Sequence, residues 1–215
     1  MRVSSFTRRA TAVMVTAAAM WTAACGDVAR SGRSPAYLVL VALDGASGAE
    51  PDKFGSTVSS DVVTLVEVDV NGEKVKVPTI FGDIGRATFR IGLKDPGTPD
   101  LPTQPTALND ITVTRYRVVY RRADGRNTQG VDVPYAHDGG MTVTVRGGQA
   151  VTGFFDLVRV VAKREPPLAN LRNIGGAQFI GTVAEITFWG ADQAGNEVSV
   201  TGEMSVSFAD YGDPQ

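Results

Sequence analysis

The chain has 215 residues, one Cys and one His, and a net charge of −2 that becomes about −5 once the first 24 residues and their three arginines are set aside. This balance excludes a generally basic surface of the kind that coats nucleic acid. A single Cys and a single His exclude a disulfide framework and a multi-His or Cys–His metal cluster.

Arg2, Arg8 and Arg9 make a positive opening, and residues 10–24 are an uncharged run of 15. A membrane-spanning helix needs about 20 apolar residues, so the run suits the core of a signal peptide over 1–24. Thr22, Ala23 and Ala24 are small and stand directly before Cys25, the only cysteine. This placement resembles a bacterial lipoprotein signal, although Thr22 stands where that signal usually carries Leu. The resemblance implies cleavage before Cys25, a diacylglycerol on its sulfur and a lipid anchor in the bacterial cell envelope. Gly26 after the Cys favours the outer membrane of a two-membrane bacterium, on its periplasmic side or at the cell surface. Ordinary signal-peptidase cleavage also accepts Thr22 and Ala24, and would leave a secreted protein with a free thiol. Residues 25–34 are polar and aperiodic and read as a flexible tether.

Residues 35–213 read as one β domain, in which short runs of Val, Ile, Thr and aromatics alternate with Gly/Pro/Asn/Asp clusters. Residues 37–43 are continuously apolar and predict a central strand; 44–60 predict a long loop. Residues 62–70 alternate, Asn71-Gly72 is a strong hairpin turn, and 73–77 return. In 87–93, Ala87, Phe89, Ile91 and Leu93 share one face. A loop with Pro96, Pro99, Pro102 and Pro105 follows, read as a stiff connection with a Pro-recognising partner as the alternative. Further strands are predicted at 111–122, 141–146, 152–163, 183–189 and 197–208, about eight in all, with a helical turn in 167–173. Hairpin connections dominate, which predicts an antiparallel two-sheet sandwich.

The segment 184–208 resembles the last two strands of bacterial Ig-like and fibronectin-III-like domains, on the corner formed by Asp192, Ala194, Gly195 and Asn196. Asp accepts hydrogen bonds from turn N–H groups, and Gly and Asn tolerate positive φ. Calcium at Asp192, Asn196 and Glu197 is a weaker alternative for this corner. The mature chain as a whole resembles uncharacterised bacterial envelope lipoproteins, and the resemblance implies an Ig-like fold without naming an activity.

The chemistry of a catalyst is hard to find. His137 lies in "PYAHDGG" and is expected in a surface loop, away from any nucleophile–His–acid set. No nucleophile elbow, zinc-protease motif or phosphate loop occurs, and no cofactor or metal ligand set is expected. Phe188 is expected in the core and Trp189 on the opposite face with Glu185. Arg115, Arg117 and Arg121 crowd one strand, with Arg122 and Arg126 at its end. Ile111 and Val113 share their parity with these arginines, so a bulge near residue 114 is expected to turn the apolar face over to Tyr116, Val118 and Tyr120. Cross-strand pairing with acids is the first reading of the arginines and a docking face the second. The function expected is a non-enzymatic, lipid-anchored envelope module that binds a protein or surface polymer. The alternatives are an envelope glycan-binding protein using Trp189 and Glu185, or a glycan hydrolase using two carboxylates. No nucleic-acid partner is expected.

Overall fold

The computed structural model describes residues 32–173 and 176–212. The expected signal peptide 1–24, Cys25 and most of the expected tether lie outside the described residues. The chain is all-β with sandwich character, built from strands β1 (Ala36–Ala46), β2 (Thr57–Asp61), β3 (Thr64–Val70), β4 (Glu73–Thr79), β5 (Asp83–Leu93), β6 (Gly97–Thr98), β7 (Leu101–Pro102), β8 (Ile111–Arg121), β9 (His137–Val145), β10 (Val151–Val158), β11 (Ile180–Asp192) and β12 (Glu197–Ala209). One short helix, α1 (Val160–Arg164), follows β10.

Two sheets form the body: β1-β5-β10 and β2-β12-β11-β8-β9. Their inner faces meet in one aromatic core. Phe89, Tyr116, Phe188 and Phe208 are each at most 3% exposed, and Phe155 of β10 packs on both Tyr116 and Phe188. A β-carbon at Gly85 would sit 2.1 Å from the Phe155 ring, so glycine is needed there for the ring to lie across β5.

The alternation read at 87–93 is the inner face of β5, where Ala87 and Phe89 are fully buried. The bulge near 114 is present. The register of β8 shifts between Val113 and Arg115 on β9, and opposite Trp189 and Gly190 on β11. Ile111 and Val113 therefore point inward before it, and Tyr116, Val118 and Tyr120 after it. Asn71 and Gly72 take φ of 56° and 88°, the left-handed pair that a tight hairpin requires. The Gly72 N–H donates to Asp69 Oδ1 (2.8 Å).

Four expectations are corrected. The apolar run at 37–43 is an edge strand of the smaller sheet, and its bulge turns Val41 out to 52% exposure. The expected loop 44–60 contains β2, which pairs in parallel with β12, so the larger sheet is not wholly antiparallel. The strand expected to run to residue 163 stops at Val158 and gives way to α1. The strand count rises from about eight to twelve among the described residues, with β2 and the two-residue ladder of β6 with β7 inside the proline loop among the additions. The helical turn near 167–173 is a 3-10 turn over Leu168–Leu171.

Candidate functional site

The outward face of the larger sheet carries the residues singled out from the sequence. The bulge at Thr114 sets Arg115, Arg117 and Arg121 outward, and each has a different partner. Arg117 lies opposite Asp138 on β9, with Nη1 to Oδ2 at 3.5 Å. Arg121 reaches diagonally to Glu185 on β11 at 3.2 Å. Arg115 lies opposite Trp189 in the ladder, and its guanidinium carbon stands 4.4 Å from the Trp189 ring centroid. Among the described residues Arg115 makes no ion pair. Arg122 and Arg126 both clamp Asp124 in the following turn, and their hydrogen bonds hold its carboxyl well below the usual range. Cross-strand pairing thus accounts for Arg117 and Arg121, a local clamp within the turn for Arg122 and Arg126, and stacking on Trp189 for Arg115.

Trp189 is half-buried and also lines a cleft of about 410 Å³. The cleft sits where the first residues of β1 meet the first residues of β12, at the end of the sandwich where the described chain begins. Tyr37, Lys94, Glu197 and Ser199 complete its polar and aromatic lining. Glu185 is not part of it, so the acid beside Trp189 in this cleft is Glu197. The Tyr37 ring lies across Gly92 of β5, where a β-carbon would stand 2.3 Å from ring carbon Cζ. Lys94 Nζ donates to the Gly32 carbonyl at 2.8 Å.

His137 corrects the expectation of a surface loop. It opens β9 and is 4% exposed. Its ring packs edge-on to Tyr116 and beside Tyr120, and Nε2 lies 3.0 Å from the Asp156 carbonyl. A carbonyl only accepts, so Nε2 carries the proton and Nδ1 is left as a buried acceptor with no partner among the described residues. Burial holds the ring's pKa below the ordinary histidine value.

A second buried polar group escaped sequence reasoning. Lys163 of α1 is 1% exposed, and its ammonium donates to Asp83 Oδ1 (2.8 Å) and to the Asp61 carbonyl (2.7 Å). Asp83 Oδ1 also accepts from the Gly48 N–H (2.9 Å). The two residues are 80 apart in sequence, and no local pattern marks them. At the 192–196 corner, Asp192 Oδ1 accepts from the N–H groups of Ala194 and Asn196, and Oδ2 from Asn196 Nδ2. These bonds use the carboxylate as a turn anchor. Among the described residues no group of three His, Cys, Asp or Glu is placed to hold a metal ion. No family model, curated protein or solved structure matches the chain.

Proposed function

We propose that the chain is a non-enzymatic, lipid-anchored module of the bacterial cell envelope, with an Ig-like sandwich, a lipid on Cys25, and a binding face for a protein or surface polymer on the larger sheet. The observation that carries this reading is Arg115. It is the one guanidinium of the row with no acid to neutralise it, and it is held over the Trp189 ring on a solvent-facing strand. An aromatic ring and a planar cation fixed side by side are a common anchor for recognition. The sole histidine is committed to a backbone carbonyl inside the core, which supports a binder over a His-dependent catalyst. The cleft beside Trp189 carries one carboxylate, Glu197, where a glycan hydrolase uses two, so glycan binding is a better second reading than glycan cleavage.

Two experiments test this. Cys25→Ser is expected to leave unprocessed or released protein on membrane fractionation, and a wild type found wholly soluble overturns the anchor. Arg115→Ala is expected to weaken retention of solubilised envelope components while Arg117→Ala leaves it nearly unchanged. Equal retention by both variants and wild type overturns the binding face.

A further inference from the structure

We propose that the cleft between the starts of β1 and β12 is a saccharide subsite that takes a neutral pyranose ring. This rests on the reading of the chain as a binding module and names the ligand class. The volume of about 410 Å³ lies within the range of small-ligand sites. Two aromatic side chains border it, Tyr37 from the smaller sheet and Trp189 from the larger. The C–H faces of a sugar ring pack against aromatic faces, and its hydroxyls need donors and acceptors at the rim. The rim supplies both. The Lys94 ammonium gives one N–H to Gly32 and keeps two; Glu197 and Ser199, which line the same cleft, carry acceptor oxygens. Within the lining the one ammonium and the one carboxylate offset each other, and the Arg115 guanidinium is stacked on the Trp189 ring outside that lining, which favours a neutral ligand over an anion or a cation.

Both rings are set before a ligand arrives. Tyr37 is 48% exposed, yet its ring rests on Gly92, a seat that no residue with a β-carbon provides. Trp189 is held by the Arg115 guanidinium on the neighbouring strand. Rings immobilised in advance lose little freedom on binding, so a shallow site of two rings and three polar side chains can hold a sugar with measurable affinity.

The test uses the full-length protein in detergent with chitotriose and cellotriose as probes, read by saturation-transfer NMR on the sugar protons and by tryptophan emission. Saturation transfer at millimolar sugar is expected for at least one probe, with affinity lowered about tenfold or more by Tyr37→Ala, by Trp189→Ala and by Gly92→Ala. Arg117→Ala is expected to leave it unchanged, and raised salt to weaken it little, because no ion pair is involved. Gly92→Ala separates this role from general damage, because it displaces one ring and leaves Trp189 and the rim in place; its unfolding midpoint is measured alongside. No transfer from either sugar, or transfer undiminished by Tyr37→Ala and Trp189→Ala, overturns the saccharide assignment. If the sugars fail while envelope retention still depends on Arg115, the saccharide assignment falls and the binding-module reading stands.

Discussion

Phe188 meets Phe89 edge-on across the sandwich, ring centroids 5.0 Å apart and planes at 81°. Both rings are fully buried. Phe188→Ala removes this contact together with those to Tyr116 and Phe155, and is expected to cost about 3–5 kcal/mol in urea unfolding. Trp189→Ala, one residue along and on the other face, is expected to cost about 1 kcal/mol or less. Equal costs would mean that the two faces of β11 are not distinct.

The Lys163–Asp83 pair predicts a non-additive pair of mutations. Lys163→Ala leaves the Asp83 carboxylate buried without its cation, and Asp83→Ala leaves the ammonium so; each is expected to cost about 3–5 kcal/mol. Lys163→Met combined with Asp83→Leu removes both charges and is expected to cost clearly less than the two single losses summed. An additive result in a double-mutant cycle would show that the two charges do not depend on each other.

His137 predicts an acid-sensitive core. Burial depresses its folded-state pKa below the unfolded value of about 6.5. Between those two values the unfolded chain binds more protons, so stability rises with pH through that window and levels off above it. Lowering the pH from about 7 to about 5 is therefore expected to destabilise the wild type. His137→Gln keeps an N–H for the Asp156 carbonyl and is expected to remove most of that slope. Asp61 works in the opposite sense. Burial raises its pKa, so its contribution favours the folded state at low pH and is lost as pH rises through the folded value, a window that begins at about 3.8. A His137→Gln variant as acid-sensitive as wild type would place the titrating group elsewhere.

Arg117→Ala is expected to change stability by about 0–1 kcal/mol, because both partners of its ion pair are half exposed. Arg115→Ala is also expected to be nearly neutral in stability, but it uncovers the Trp189 ring and shifts its emission to the red. An unshifted spectrum would mean that the guanidinium does not lie over the ring in solution.

These cases show which features a sequence makes legible. A strand that buries one face writes period two into its residues, so the inner face of β5 and the division between Phe188 and Trp189 could be read directly. The bulge at Thr114 was legible for a related reason: the apolar parity changes between Val113 and Tyr116, and charge cannot follow it inward. His137 was hidden because Pro, Gly and Asp around it suggest a turn, whereas Gly139 in that segment accommodates the Tyr116 ring from the neighbouring strand. The edge position of β1 was hidden because a continuous apolar run suggests burial on both faces, whereas Tyr37 and Val41 stand about half exposed, and side-chain composition does not report which strand edge lacks a hydrogen-bonded neighbour. The cleft joins residues from β1, β11 and β12 with Lys94, and local periodicity does not report such long-range meetings.

The two ends of the described chain lie at opposite poles of the sandwich. Ala36 and Glu197, which open β1 and β12, share the cleft at one pole. At the other, Ala209 pairs with Asp61, and the Tyr211 N–H donates to the Asp61 carboxylate (3.0 Å). The strands β1 and β12 thus head the same way, one starting beside the cleft and the other ending at the far pole. A pull between the two ends acts along the strand axes. It shears the rungs of β1 on β5, and of β12 on β11 and β2, all at once, where a pull across the strands would peel them one rung at a time. For a chain held at its amino end and tugged from the far pole, this geometry makes forced unfolding slow, a resistance governed by the unfolding barrier rather than by equilibrium stability.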